Sequence, residues 1–190
     1  MPTLSLPGFS AHDSGSGRHD LIAIHNPDSL LPIPGVLGKA IGFLGRGFEL
    51  EATGSRGAYN FRTATVEAIV QYPGSNAFVF QYARYEPGIA RGFWLGFNAA
   101  GILELVTGHD KHSSKWNECK SAQSLVPGRI YHIAGVLDDG GLNKVYVDGV
   151  KAGSRPTTEY LPYDDRLRVG YGYGGGAFVA YLRRGALDEL

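Results

Sequence analysis

Residues 128–153 read GRIYHIAGVLDDGGLNKVYVDGVKAG, and this stretch decides the fold class. Apolar and polar residues alternate through Ile130–Leu137 and again through Asn143–Val147. Alternation with a period of two is typical of β-strands that bury one face. The segment Asp138–Gly141 between them has the composition of a tight turn, and Asp148–Gly149 starts another. The stretch therefore predicts consecutive antiparallel hairpins.

The same alternation continues outward in both directions, and helical periodicity is nearly absent. Further strands are predicted at Val66–Tyr72, at Phe78–Tyr82, at Gly92–Phe97 and Ile102–Val106 around the turn Asn98–Gly101, and at Arg166–Tyr171. The 28 glycines and 10 prolines punctuate these short strands. Short strands at hairpin spacing predict an all-β protein, a two-sheet antiparallel jelly-roll β-sandwich with little or no helix.

Length and charge narrow the function classes. A chain of 190 residues suits one domain spanning residues 1–190. Lys plus Arg and Asp plus Glu are 18 each, so the net charge is zero. This balance disfavours nucleic acid and anionic membranes as partners. No apolar run is long enough for membrane insertion, and residues 1–9 show no signal-peptide pattern. Cys119 is the single cysteine, which excludes an internal disulfide; we interpret it as an incidental thiol in a polar loop.

Five segments, taken in order, resemble the concanavalin A-like, laminin-G-like jelly-roll family. They are AHDSGSGRHDLIAIHN (11–26), PGVLGKAIGFLGRGFELEA (34–52), ATVEAIVQYP (64–73), the hairpin region 128–153, and RLRVGYGYGG (166–175) followed by GALDEL (185–190). Two departures concern Ile69 and Ile130, which stand where the family often has Trp and are expected to leave a smaller apolar core. The chain also ends before the last residues of the family's closing strand, through truncation or a shorter edge.

The resemblance implies a structural calcium ion, because members often hold one with a carboxylate near the C-terminus. Asp188, Asp13 and backbone carbonyls of residues 45–47 supply the hard oxygens that calcium prefers. The alternative is that Asp188 and Glu189 hydrogen-bond the neighbouring turns.

Sugar recognition requires flat apolar rings together with fixed polar groups. The candidate ligand-binding residues are Tyr82, Arg84, Tyr85, Trp94 and Trp116, with Arg91, His109 and Asn117 as partners for hydroxyl groups. A core position for Trp94 is the alternative. The polar loop predicted over residues 108–124 carries several of these residues, and it admits a solvated loop, a sugar contact or a zinc ligand set. Residues 170–176 (GYGYGGG) are predicted to form a flexible hairpin loop, whose Tyr171 and Tyr173 are further candidates.

Catalysis has weaker support in the sequence. The family's glycosidases carry Glu-x-Asp-x-x-Glu along one strand, and this string does not occur. Adjacent acidic pairs such as Asp138–Asp139 are predicted to cap backbone N–H groups in turns. We therefore predict a non-catalytic carbohydrate-recognition or adhesion module that binds a glycan on a concave sheet or its rim loops. A structural or protein-interaction jelly roll and a polysaccharide-degrading enzyme are the alternatives. The resemblance favours an extracellular or cell-surface location; the oligomeric state stays open.

Overall fold

The computed structural model describes residues 10–11, 21–25, 30–36, 39–43, 49–52, 61–86, 89–108, 116–157, 160–161, 166–174, 178–182 and 185–188. Within these ranges the regular elements are all β-strands. They are β1 (Ser10–Ala11), β2 (Leu21–His25), β3 (Leu30–Pro34), β4 (Lys39–Phe43), β5 (Glu49–Ala52), β6 (Thr63–Gln71), β7 (Ala77–Glu86), β8 (Ile89–Phe97), β9 (Ile102–Gly108), β10 (Trp116–Ser124), β11 (Ile130–Asp138), β12 (Leu142–Val147), β13 (Val150–Pro156), β14 (Arg168–Val169), β15 (Tyr171–Gly174), β16 (Phe178–Tyr181) and β17 (Ala186–Asp188).

The strands form two large antiparallel sheets. The front sheet has eight strands in the order β1-β2-β5-β14-β7-β8-β9-β10, and the back sheet has seven in the order β13-β12-β11-β6-β17-β4-β3. The pair β15-β16 forms a small separate hairpin. Strands from both ends of the chain enter these sheets, since β2 pairs with β5 and β17 pairs with β4 and β6. The predicted jelly-roll β-sandwich is therefore confirmed.

The hairpins predicted from sequence have the expected turns. β8 pairs with β9 across residues 98–101, and β11 pairs with β12 across residues 138–141. In the first turn, the side-chain carbonyl of Asn98 accepts a hydrogen bond from the Ala100 N–H at 2.9 Å. In the β12–β13 turn, Asp148 has a positive φ of 51°, a conformation that Asp and Asn tolerate better than most residues.

The core lies between the two sheets and is built from one face of each strand. β6 shows the pattern, because Ala68 and Val70 are buried while Thr65 and Glu67 are exposed. The largest apolar side chains that are almost completely buried are Tyr82, Tyr160, Phe43, Leu30, Leu50, Leu95, Leu103, Leu105, Ile133 and Leu182. Aliphatic and aromatic burial on this scale provides the main driving force for closing the sandwich.

Three local predictions were wrong. Residues 171–174 of the glycine-rich stretch form β15, where Gly172 lies against the Phe78 ring so closely that a Cβ atom would overlap it. Residues 116–124 of the predicted polar loop form β10. Ile69 is only partly buried and Ile130 is 50% exposed, so these two residues do not replace core tryptophans.

Cys119 is a core residue of β10 with 1% exposure, and its thiol lies 3.4 Å from the Asn143 carbonyl oxygen. Burial raises the pKa of Cys119 to about 11. Because the thiolate is the reactive form, the folded protein is expected not to react with a thiol reagent at about pH 8. Ellman's reagent measures this directly: one equivalent should react only after unfolding in urea. Rapid stoichiometric reaction of the folded protein would contradict the buried position.

Candidate functional site

The outer face of the front sheet carries an unbroken row of side chains across six strands. The inner-face neighbours of these residues, such as Leu50, Leu95 and Leu105, belong to the core, so the row itself points away from it. Successive residues of the row stand directly opposite each other: Glu51, Arg168, Gln81, Trp94, Val106 and Glu118. At a strand spacing of about 4.8 Å, the row is about 24 Å long.

Trp94 occupies the middle of this row and is partly exposed. Phe78 holds it from one side in an edge-to-face arrangement, with ring centroids 5.0 Å apart and an interplanar angle of 83°. The residues two positions before and after Trp94 on its own strand are Gly92 and Gly96. No side chain from β8 therefore stands beside the indole along this face of the strand. The arrangement gives a fixed, partly exposed aromatic ring, while its neighbours in the row, Gln81 and Val106, are buried.

A charged network lies one row further along the same face. Lys120 Nζ is 3.1 Å from Glu104 Oε1 and 2.7 Å from Glu118 Oε2, and Asn98 Nδ2 donates to Glu104 Oε1 at 2.7 Å. The Glu104 side chain is only 8% exposed, whereas those of Lys120 and Glu118 are 44% and 45% exposed. Hydrogen bonds to Glu118 and Glu104 raise the pKa of Lys120. The network therefore presents a fixed ammonium group and a carboxylate near Trp94.

A second buried carboxylate, Glu51, lies toward the other end of the row. Its side chain is 8% exposed and forms an ion pair with Arg166. Both buried acids of this face, Glu51 and Glu104, are thus paired with cations that are more exposed than they are, Arg166 and Lys120.

The structure separates the predicted ligand-binding residues into groups. Trp94, Arg91 and Trp116 are partly exposed on β8 and β10. Arg84 and Tyr85 lie in β7, with Arg84 directly opposite Arg91. His109 and Asp13 lie outside the described residues, as do residues 45–47.

Two of the predicted contacts need correction. Tyr82 is 0% exposed because its ring packs into the core beside Phe93, with centroids 5.9 Å apart. Asn117 is 6% exposed because its side chain points between the sheets, where Nδ2 donates to the Pro156 carbonyl at 2.8 Å. Neither side chain is placed to contact a ligand on the outer surface.

The calcium prediction rests on residues that the structure describes only in part. The backbone of Asp188 lies in β17, opposite Ile69, and its side chain is outside the described part of the molecule. Among the described residues, no group of three His, Cys, Asp or Glu side chains is arranged to hold a metal ion. Calcium binding stays a prediction.

Four polar residues of this face were not predicted from the sequence: Gln81, Glu104, Glu118 and Lys120. Glu118 and Lys120 alternate with the buried Cys119 and Ser121, which is a signal for a strand. Gln81 carries no such signal, because its surroundings depend on pairing with β8 and β14, and β14 is far away in sequence. In the described part of the chain there is also no helix of the length and apolarity needed to cross a membrane.

Two packed layers of antiparallel strands in these orders define a jelly-roll β-sandwich. The family model Laminin_G_3, of the concanavalin A-like lectin/glucanases superfamily, matches residues 51–190. The chain belongs to this family. No curated protein sequence matches it.

Solved structures with the same fold include binding domains. The binding domain of Paraclostridial Mosquitocidal Protein 1 superimposes with a TM-score of 0.68 at 11% identity, covering 96% of this chain and 47% of that one. The binding domain of Botulinum Neurotoxin DC in complex with SialylT gives 0.64 at 7% identity, with 93% and 42% covered. Domain 4 of AbnA, a GH43 extracellular arabinanase from Geobacillus stearothermophilus, in complex with arabinotriose, gives 0.58 at 18% identity, with 96% and 82% covered.

These likenesses establish the fold alone, because the identities are low. The chain spans less than half the length of the two toxin binding domains. The ligands of those proteins are therefore not assigned to this chain by the likeness.

Proposed function

We propose that this protein is a non-catalytic carbohydrate-binding module whose ligand lies across Trp94 on the outer face of the front sheet. The observation that carries the proposal is the partly exposed Trp94 ring, held edge-on by Phe78 and flanked along its strand by glycines. A sugar ring presents C–H groups on one face, and these groups pack well against a fixed aromatic ring.

Polar groups on β10, two strands from Trp94 on the same face, support the same function. Lys120 donates and Glu118 accepts hydrogen bonds, and the two are linked at 2.7 Å, so their positions are restrained before a ligand arrives. Preorganised donors and acceptors reduce the entropy lost on binding. A pyranose or furanose carries hydroxyls that both donate and accept, which matches this mixed set better than a uniformly charged ligand would. Trp116 alternates with the buried Asn117 and Cys119 as Glu118 does, so it extends the same proposed site toward the end of β10.

A glycan array tests the proposal. The folded chain is applied to immobilised arabino-, xylo-, gluco- and sialyl-oligosaccharides, with and without calcium. We expect saturable binding to at least one class and no change in the length of the bound oligosaccharide. Absence of binding to every class under both conditions would contradict the proposal. Shortened or unsaturated products would instead indicate a polysaccharide-degrading enzyme.

A protein partner is the second candidate, and a different surface favours it. Val126, Ile130 and Val150 are 58%, 50% and 70% exposed. Val126 precedes β11, and Ile130 and Val150 are the first residues of β11 and β13. An ion pair of 3.6 Å between Arg129 and Asp148 joins the turns that lead into these two strands. Exposed aliphatic side chains grouped in this way are common at protein interfaces. If this candidate is right, Val150→Asp should abolish binding to the partner while Trp94→Ala leaves it unchanged.

A further inference from the structure

Five polar side chains lie inside the sandwich, at the end where β9 and β13 finish and β10 and β12 begin. Thr107, Asn143 and Tyr160 are 0% exposed, Thr157 is 3% exposed and Asn117 is 6% exposed. Such burial is unusual for amides and hydroxyls, because removing a polar group from water is costly unless it is hydrogen-bonded. We call these five residues the polar cluster.

Hydrogen bonds join the polar cluster across both sheets. Thr107 of the front sheet stands directly opposite Asn117, and its Oγ1 accepts from Asn143 Nδ2 of the back sheet at 3.1 Å. Asn117 Nδ2 reaches the carbonyl of Pro156, the residue before Thr157, at 2.8 Å. These contacts bring Thr107, Asn117, Asn143 and Thr157 to one region of the interior.

The turn between β11 and β12 fixes the remaining member at the same end. The Thr157 N–H donates to the Gly141 carbonyl at 2.9 Å, and the Tyr160 N–H donates to Asp139 Oδ1 at 2.8 Å. Burial, followed by the nearby Tyr82 and Asp139, raises the pKa of Tyr160 well above its usual range. The Tyr160 hydroxyl is therefore neutral and able to donate a hydrogen bond.

Three atoms of the polar cluster are completely buried and have no hydrogen-bond partner among the described residues: Asn117 Oδ1, Thr157 Oγ1 and the Tyr160 hydroxyl oxygen. Native proteins satisfy nearly all such atoms, with ordered water where protein groups do not reach. We propose that this end of the sandwich is an internal hydration site in which ordered water bonds these three atoms. Amides and hydroxyls are neutral, and this chemistry suits water better than a metal ion or an anion.

Removing one hydroxyl at a time tests the proposal, because the direction of the change in Tm depends on whether water bonds that hydroxyl. Thr157→Val and Tyr160→Phe keep the shape of the side chain but delete its hydrogen-bonding group. If water satisfies the hydroxyl, each variant is expected to lower Tm by about 2–4 °C. If the hydroxyl is unsatisfied, its removal leaves Tm unchanged or higher. Thr65→Val, at an exposed position of β6, serves as the matched control and should shift Tm by less than either variant.

A high-resolution crystal structure of the full chain provides the direct readout. Ordered water is expected at about 3 Å from at least two of the three atoms, and the Thr157→Val crystal should lose the water at that position. The proposal would be overturned if no ordered water lay within hydrogen-bonding distance of any of the three atoms. It would also be overturned if Tm stayed the same or rose in both variants.

Discussion

Trp94→Ala is expected to weaken binding of the best oligosaccharide from the array by about 30-fold or more. A buried aromatic anchor at the centre of a binding surface commonly contributes about 2 kcal/mol or more, which corresponds to this factor. Trp94 fits that description because it lies midway along the row from Glu51 to Glu118, and its orientation is fixed by Phe78. Isothermal titration calorimetry of the folded variant measures the loss.

Tyr146→Ala is the matched control for this prediction. Tyr146 is also a partly exposed aromatic residue, but it lies on β12, and its buried neighbour Val145 shows that it points outward from the back sheet. Its removal should leave the affinity within about twofold. Equal losses in the two variants would mean that the affinity responds to general destabilisation or to a site elsewhere.

Gly92→Ala is expected to have the largest effect on stability, at least about 3 kcal/mol. Gly92 has a φ of +81°, and a Cβ atom placed there would lie 1.9 Å from the Tyr82 carbonyl oxygen. That oxygen belongs to the neighbouring strand β7, so the clash is relieved only by separating two central strands of the front sheet. Urea unfolding measures the difference, and an insoluble variant would agree with it.

Gly128→Ala separates the cost of a positive φ from the cost of the clash with the neighbouring strand. Gly128 has nearly the same φ, +79°, but nothing lies within 4 Å of the added Cβ atom. Only the cost of the left-handed backbone conformation remains, about 1–2 kcal/mol. If Gly92→Ala and Gly128→Ala lower the free energy of unfolding by the same amount, the added Cβ atom at Gly92 meets no clash. That result would contradict the close approach of β7 and β8 at this position.

The sequence was sufficient for the fold because the decisive signals are local. Alternation in β11 and β12, together with turn residues such as Asn98 and Gly149, predicts hairpins whose partners are neighbours in sequence. Family motifs supplied the arrangement of the sheets. The wrong predictions arose where a tertiary contact overrides the local pattern: residues 171–174 read as a loop, but Gly172 allows this segment to pack against Phe78 as a strand.

The site was predictable only in part, since alternation shows which residues share a face but not which face is covered. Tyr82 and Trp94 are both aromatic residues in adjacent strands, yet Tyr82 faces the core and Trp94 faces outward. Asn117 was predicted to lie in a loop, whereas its amide donates a hydrogen bond to the Pro156 carbonyl inside the sandwich. Gln81 lies in the row because it stands opposite Trp94 of the next strand and opposite Arg168 of β14, a strand distant in sequence.

The chain has 2 tryptophans, which permits a direct test of where the glycan lies. In a two-dimensional ¹H–¹⁵N spectrum, the two indole signals are assigned with Trp94→Phe and Trp116→Phe. During titration with the oligosaccharide that binds best on the array, the Trp94 indole signal is expected to shift progressively until the site is saturated. The dissociation constant from this shift should agree with the one from calorimetry. A bound oligosaccharide that leaves the Trp94 signal in place and shifts back-sheet signals around Tyr146 would contradict the assignment of this face.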